Sequence, residues 1–298
     1  MLPYLILGGA QLAVGAAAIF ARYALAAAGP LAVSAGRLVI AALVLGVLSL
    51  ARTDTLGATP HGKQRTVLAL AGLALAVHFA SWIASLNYTS VAVSTLLVST
   101  APIWTAAYDA LVNHRLLSRA SALAFAAGAI GLFLVVGFDR TPAPHPGLEW
   151  AGGCLAIAGA MAFAAYLLLV RAVRADLTTR RIVTHTYGWA ALFLVAAALA
   201  AKQPLPPLSA TAAWGSIVAM ALVSQLLGHT AMNFSLRSFT PSAISFANLL
   251  EPVFAAALAF AIFHEPVPGP AIAGAAILLT AVLVVVRDER EQVPEPPQ

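Results

Sequence analysis

The sequence predicts an all-α polytopic membrane protein, with ten transmembrane helices arranged as two inverted five-helix repeats around a central cavity. Three observations predict this fold class. Apolar residues make up 61% of the 298 residues and charged residues only 9%, with a mean hydropathy of +0.91, far above the values of soluble domains. Polar or Pro/Gly-rich interruptions divide the chain into ten apolar lengths. Features of the first half of the chain recur in the second.

Each apolar length is close to the roughly 20 residues that a helix needs to cross a bilayer. The first of them lacks a basic leading region and a convincing cleavage site, so we interpret it as a transmembrane helix and not as a removable signal peptide. The ten predicted spans are residues 3–27, 31–51, 65–87, 90–112, 119–138, 148–170, 181–201, 211–236, 241–263 and 269–287.

The basic residues orient the chain. With ten spans both termini lie on one side, and 12 of the 16 Lys and Arg residues fall on that side. Only Arg140 and Lys202 fall on the other, and Arg22 and Arg37 lie within helices one and two. Because cytoplasmic loops carry an excess of Lys and Arg, we predict that both termini are cytoplasmic. The basic residues lie singly between apolar runs, so we expect the lipid bilayer, and no nucleic acid, as a partner.

An internal repeat supports the two-part arrangement. Residues 93–136 align without gaps on residues 243–286 at an offset of 150, which matches Pro102 with Pro252. Only seven of the 44 aligned positions are identical, so the pattern of helices and prolines carries the prediction. Five spans per half is an odd number, and the second half must therefore be inserted upside down, as in many secondary transporters. We divide the chain into a first repeat (1–140), a second, inverted repeat (141–287) and a cytoplasmic tail that we predict to be disordered (288–298).

The sequence argues against an enzyme. The longest stretch between spans, Arg52 to Gln64, is too short for a soluble domain. We find no Gly-x-Ser-x-Gly elbow, no His-Glu-x-x-His pair and no phosphate-binding glycine loop, and we predict no cofactor and no metal. Cys154 is the only cysteine, which excludes an intrachain disulfide.

Polar and aromatic residues inside the spans predict the cavity. An aspartate at the centre of a membrane helix costs about 2.5–3.5 kcal/mol, so such residues usually face the protein interior or a cavity. Helical spacing places them in stripes on helices three, four, six, eight and nine, and the two aligned prolines are candidate hinges. Hydrogen bonding between neighbouring helices is the alternative role for the polar residues, and a lipid-facing or interfacial position is the alternative for Trp82 and Tyr166. The candidate substrate-binding residues are His78, Ser81, Trp82, Ser85, Thr95, Ser99, Phe163, Tyr166, Gln225, His229, Asn248 and Glu251, and the candidate hinges are Pro102 and Pro252.

Glu251 is the sharpest candidate. Thr240 and the proline after it have the form of a helix N-cap, which puts Glu251 about ten residues, or ~15 Å, into its helix. Pro252 cannot donate a backbone hydrogen bond and is predicted to free the carbonyl of Asn248. A carboxylate, a carboxamide and a free carbonyl would then lie at one level, as a group of acceptors suited to an ammonium or a proton.

Other roles stay open for the charged residues. Glu251 is alternatively one partner of a buried structural pair with Arg22, Arg37 or a histidine. Arg37 lies two turns from the outer end of helix two, so we expect its side chain to reach the interface, or to form a structural ion pair, in preference to binding a carboxylate. Asp109 is either an ordinary interfacial charge or, with Arg115 or Arg119, an ion pair at the cytoplasmic mouth.

Several motifs together resemble a known family. They are Gly-Arg-Leu-Val-Ile-Ala-Ala around Arg37, Thr-x-x-Ala-Ile-Ser followed by Glu-Pro-Val (240–253), and the closing His-Glu-Pro with a later Gly (264–274). With the five-plus-five spans they resemble the drug/metabolite transporter superfamily of EamA type over residues 3–287, and within it most closely the YddG-type amino acid exporters. The first repeat departs from the pattern, since Arg115 stands where the second has Glu265.

The resemblance implies a function. It implies a secondary transporter in a bacterial inner membrane that exports small metabolites, amino acids including aromatic ones, by alternating access around a cavity lined by helices one, three, four, six, eight and nine. A multidrug or organic-cation exporter of the same fold is the alternative. The expected partners are the bilayer and a small-molecule substrate. A monomer suffices for this arrangement, although the sequence leaves the oligomeric state open.

Overall fold

The computed structural model describes residues 1–51, 58–136, 145, 147–263 and 269–291, and the regular secondary structure in this part of the chain is all helical. We number ten helical units in chain order. They are α1 (Leu2–Gly15 and Ala17–Leu25), α2 (Pro30–Ala51), α3 (Gly62–Ser85), α4 (Val91–Val98 and Ala101–Leu111), α5 (Arg119–Val136), α6 (Glu149–Val173), α7 (Thr179–Ala200), α8 (Thr211–Ala219, the π-helical Met220–His229 and Thr230–Ser235), α9 (Pro241–Ala247, the 3₁₀ turn Asn248–Leu250 and Glu251–Phe263) and α10 (Gly269–Glu291).

Every predicted span overlaps one of these units. Eight of the units are long and apolar enough to cross a membrane. The other two are α4, which is divided into segments of 8 and 11 residues, and α5, which has 18 residues. A polytopic helical membrane protein is therefore confirmed, whereas the count of ten spans and the inversion of the second half stay predictions.

Side-chain caps mark where several units begin. Ser90, Thr178 and Thr240 each accept a hydrogen bond from the backbone N–H three residues later. Such a cap satisfies a donor that the first turn of a helix leaves free. The N-cap predicted at Thr240 is confirmed, and Pro241 occupies the first helical position, where its missing N–H costs nothing.

The two aligned prolines lie just after interruptions of their helices. α4 breaks between Val98 and Ala101, directly before Pro102. In α9 a 3₁₀ turn precedes Pro252. One part of the prediction is wrong here: the carbonyl of Asn248 is not free, because it accepts the backbone N–H of Glu251. The helix tightens from i→i+4 to i→i+3 bonding ahead of the proline, and so finds a donor one residue earlier.

The packing of the units repeats when each unit is replaced by the one five positions away. Three units pack directly on these counterparts, namely α2 on α7, α4 on α9 and α5 on α10. The other two contacts, α1 on α8 and α6 on α3, correspond to each other under the same shift. Small residues allow the closest approaches. A Cβ added to Gly274 would lie 2.6 Å from the carbonyl oxygen of Gly131, so α5 and α10 meet backbone to backbone.

α10 extends into the segment predicted as the cytoplasmic tail. The helix continues to Glu291, four residues beyond the predicted boundary at 287. Asp288 accepts hydrogen bonds from the hydroxyls of Ser118 and Ser121, and these bonds tie the last turn of α10 to the start of α5. The rest of the predicted tail (292–298), Arg140 and the His-Glu-Pro motif (264–266) lie outside the described residues.

Candidate functional site

A small buried cavity lies where α1, α2, α3, α4, α6, α8 and α9 meet. Its volume is about 20 Å³, which is enough for a single water molecule. It is lined by Val14, Ala17, Arg37, His78, Phe79, Trp82, Val98, Ser99, Phe163, His229, Asn248 and Glu251. The lining combines charged groups of both signs with aromatic rings.

Arg37 supplies the positive charge. Its side chain is fully buried, and its Nε donates a hydrogen bond to Oε1 of Gln225 at 2.9 Å. The guanidinium lies 4.0 Å from the centre of the Phe79 ring, a cation–π contact. Its two terminal nitrogens, Nη1 and Nη2, are buried with no hydrogen-bond partner among the described residues. The prediction that Arg37 reaches the membrane interface is wrong, because Gln225 and Phe79 hold the side chain inside the protein.

Glu251 and Asn248 supply acceptors in the same cavity. Glu251 is buried, with 8% of its surface exposed, and it lies within electrostatic range of Arg37. Oδ1 of Asn248, one turn earlier, is buried without a hydrogen-bond partner in the described chain. The arginine and the glutamate are not joined by a hydrogen bond through the terminal nitrogens of Arg37. The cavity therefore contains two opposite charges that face the same space.

An aromatic wall completes the cavity. The His78 ring lies parallel to the Trp82 ring with centroids 6.4 Å apart, and 5.0 Å from the ring of Phe163. Nδ1 of His78 lies 2.9 Å from the carbonyl oxygen of Gly159. A carbonyl only accepts, so Nδ1 carries the proton and, in the neutral ring, Nε2 is the acceptor. His229 lies beside this wall, with its ring centroid 6.3 Å from that of His78.

The comparison with known families adds to this geometry. The family described as "EamA-like transporter family" matches residues 1–137 and 150–287. The chain belongs to this family. It is thus a multi-pass membrane protein in a family of small-molecule transporters, not of enzymes. One solved structure, described only as "Crystal structure of protein", is 15% identical, covers 97% of this chain and 98% of its own, and superposes with a TM-score of 0.78, which shows a shared fold. No curated protein matches the chain in sequence.

The cavity of this EamA-like chain brings together part of the predicted site. Seven of the predicted substrate-binding residues line it: His78, Trp82, Ser99, Phe163, His229, Asn248 and Glu251. The prediction did not include five other lining residues: Val14, Ala17, Arg37, Phe79 and Val98. Four of these five are apolar, and an apolar residue facing a cavity looks in sequence like one facing lipid. Arg37 is the missed residue that carries chemistry.

Two predicted serines and a threonine lie away from the cavity lining. Ser85 bonds to Ser94 at 2.6 Å and so links α3 to α4, while the hydroxyl of Thr95 donates to the carbonyl of Val91 in its own helix. Ser81 is half-buried. These contacts match the alternative role of bonding within and between helices.

Tyr166 and Gln225 are also held by protein partners. The Tyr166 hydroxyl donates to Oδ1 of Asn233 at 2.9 Å, which links α6 to α8 inside the core. Gln225 lies in the π-helical segment of α8 and orients Arg37. π-helical turns are frequent at functional sites. Gln225 thus contributes to the cavity through the arginine that it holds.

The inner halves of α4 and α9 close the predicted cytoplasmic side. All residues of Pro241–Ala247 are buried. The hydroxyls of Thr105 and Ser245 lie 3.0 Å apart, and Ser242 donates to the carboxylate of Asp109 at 3.0 Å. The Asp109 carboxylate is therefore bound by a hydroxyl of the facing helix, instead of the arginine considered from the sequence.

Proposed function

We propose that this EamA-like protein is a secondary transporter that moves small amphipathic metabolites, amino acids including aromatic ones, across a bacterial inner membrane by alternating access. The observation that carries the proposal is the central cavity, where the buried guanidinium of Arg37 and the carboxylate of Glu251 face one space beside aromatic rings. An amino acid has the matching parts, namely a carboxylate, an ammonium and a side chain that packs on rings. Export as the direction, with both termini cytoplasmic, rests on the family resemblance and on the charge asymmetry of the loops.

The size of the cavity supports a mechanism that includes movement. Ligand pockets usually have volumes of roughly 300–1,000 Å³, whereas this one has about 20 Å³. An amino acid fits only after the surrounding helices move apart. The breaks in α4 and α9 ahead of Pro102 and Pro252 are the hinges that we propose for this movement, and the two matched segments of the family are the two halves that would rock against each other.

Counterflow of labelled amino acids into proteoliposomes tests the proposal. Vesicles loaded with unlabelled phenylalanine are expected to accumulate labelled phenylalanine, and protein-free vesicles are not. Glu251→Gln is expected to lower the rate, because the neutral amide loses the charge that faces an ammonium. If the wild-type protein moves no amino acid, the proposed function is wrong. If the wild-type protein transports amino acids and Glu251→Gln transports them at the same rate, only the role of Glu251 is wrong.

An organic-cation exporter is the second candidate. Glu251 beside Trp82 and Phe163 would suit a cation, through its charge and through cation–π contacts. The same counterflow assay distinguishes the two when it is run once with labelled phenylalanine and once with a labelled organic cation such as tetraphenylphosphonium, each against protein-free vesicles. An amino acid transporter accumulates phenylalanine and not the cation, whereas an organic-cation exporter accumulates the cation and not phenylalanine.

A further inference from the structure

We propose that Arg37 is the carboxylate-binding residue of the central cavity, and that it works with Glu251 and Asn248 to select zwitterions over organic cations and anions. This inference rests on the proposed function, since it names the substrate class of the same cavity. The observation behind it is a fully buried arginine that lines the cavity, with Nη1 and Nη2 that have no hydrogen-bond partner in the described part of the chain.

The protein fixes the direction of the guanidinium. Gln225 accepts the hydrogen bond of Nε at 2.9 Å, and the ring of Phe79 supports the flat face at 4.0 Å. These contacts occupy Nε and one face of the guanidinium. The end that carries the two terminal nitrogens remains, and this end can bind both oxygens of a carboxylate at once. Lysine has no equivalent, because its ammonium is a point charge.

The partner for an ammonium lies in α9. Glu251 faces the cavity, and Oδ1 of Asn248 is a buried acceptor without a partner among the described residues. Both come from the interrupted part of α9, whereas Arg37 comes from α2. A zwitterion whose carboxylate binds Arg37 and whose ammonium binds the α9 acceptors would therefore bridge elements from the two matched halves of the chain.

The charges of the site favour a zwitterion for a simple reason. With Glu251 ionised, Arg37 and Glu251 together have no net charge, and a zwitterion adds none. A cation without a carboxylate would leave the guanidinium unpaired and bring a net positive charge into a region of low dielectric, where an uncompensated charge is costly. An anion without an ammonium would leave Glu251 unpaired in the same way.

The rival role for Arg37 is purely structural. A buried arginine near a glutamate commonly forms an ion pair that joins two helices. Among the described residues the terminal nitrogens make no such bond, and the one hydrogen bond that the side chain makes there is the one from Nε to Gln225. A structural role predicts that removing Arg37 weakens all ligands alike, whereas the subsite predicts a change of selectivity.

The experiment compares three ligands on the purified protein. Phenylalanine carries both charges, phenethylamine lacks the carboxylate, and N-acetylphenylalanine lacks the ammonium. Each competes with labelled phenylalanine in counterflow, and each is tested for thermal stabilisation of the detergent-purified protein, which reports binding without transport. The wild-type protein is expected to bind phenylalanine at least about 10-fold more tightly than either analogue, as befits a hydrogen-bonded charged group.

The variants are expected to change the selectivity in opposite directions. In Arg37→Gln the preference for phenylalanine over phenethylamine falls about 10- to 100-fold, while Glu251→Gln reduces the preference for phenylalanine over N-acetylphenylalanine by a similar factor. Arg37→Lys keeps the charge without the fork and is expected to lie between Arg37→Gln and wild type. Arg119→Gln, an exposed arginine at the start of α5, is the control with wild-type selectivity.

The outcomes separate this inference from the proposed function. Equal losses for all three ligands in Arg37→Gln make Arg37 structural and overturn the subsite, while amino acid transport by the wild-type protein stands. If Arg37→Gln does not fold, the wild-type series decides, because equal binding of phenethylamine and phenylalanine overturns the subsite. Failure of the wild-type protein to move or bind any amino acid overturns the proposed function and the subsite together.

Discussion

Ser242 donates a hydrogen bond to Oδ2 of Asp109 at 3.0 Å, and this bond joins the inner half of α9 to the inner half of α4. Asp109 is held in place by Asn113, whose Nδ2 donates to its Oδ1 at 2.7 Å. One turn deeper, the hydroxyls of Thr105 and Ser245 meet. Two polar contacts thus hold together the helices that would have to separate for the cavity to open toward the predicted cytoplasmic side.

We predict that Ser242→Ala favours opening toward the cytoplasm. The substitution removes a hydrogen bond to a charged acceptor, worth about 1.5–3 kcal/mol, and so raises the population of the open state about 10-fold or more. The measurement is labelling of a Val98→Cys reporter in a Cys154→Ala background, with an impermeant thiol reagent applied to inside-out vesicles. Thr280→Ala is the matched control, since that hydroxyl bonds within its own helix. Unchanged labelling would show that this contact does not limit opening.

The contact between Gly131 and Gly274 leads to a prediction about stability. A Cβ at Gly274 would approach the carbonyl oxygen of Gly131 to 2.6 Å and the Cβ of Leu134 to 2.7 Å, so α5 and α10 would have to separate. We expect Gly274→Ala to destabilise the protein by about 1–3 kcal/mol, measured as a lower melting temperature in detergent. Gly46→Ala is the control, because a Cβ there meets nothing within 4 Å. Equal melting temperatures for the two variants would contradict the backbone contact.

Much of the helical framework could be predicted from the sequence because it depends on local physics. Apolar runs of membrane-spanning length and the Thr240–Pro241 cap specify where helices lie. Polar residues such as Glu251 and His78 stand out because hydrocarbon excludes them. Features of this kind need no knowledge of neighbouring helices.

The parts that could not be predicted depend on packing between distant segments. Arg37 was expected at the interface, since the length of its side chain permits both directions, and only the positions of Gln225 and Phe79 decide between them. The carbonyl of Asn248 was expected to be free, yet a single 3₁₀ turn supplies it with a donor. Val98 lines the cavity, but in sequence it cannot be told from an apolar residue that faces lipid, because the two differ only in what surrounds them.

The aromatic wall predicts a preference among amino acids. Phe163 packs on His78 with centroids 5.0 Å apart and lines the cavity. We expect Phe163→Leu to weaken competition by phenylalanine about 2- to 10-fold, the range of a lost ring–ring contact, and to leave competition by leucine nearly unchanged. Trp189→Phe is the control, because Trp189 is partly exposed on α7 and stacks on Phe193. Equal effects on both amino acids would show that the ring does not contact the substrate.

The bond between Tyr166 and Asn233 separates a structural role from a substrate-binding one. The Tyr166 hydroxyl donates to Oδ1 of Asn233 at 2.9 Å and accepts from its Nδ2 at 2.6 Å, inside a core where the tyrosine is 1% exposed. Tyr166→Phe leaves the buried amide without this partner, which costs about 1–3 kcal/mol. We therefore expect a lower melting temperature with an unchanged affinity for amino acids, relative to Tyr108→Phe, a tyrosine that is 40% exposed. If Tyr166→Phe instead weakens amino acid binding at an unchanged melting temperature, the hydroxyl reaches the substrate once the cavity opens, and the role predicted from its stripe with Phe163 is the correct one.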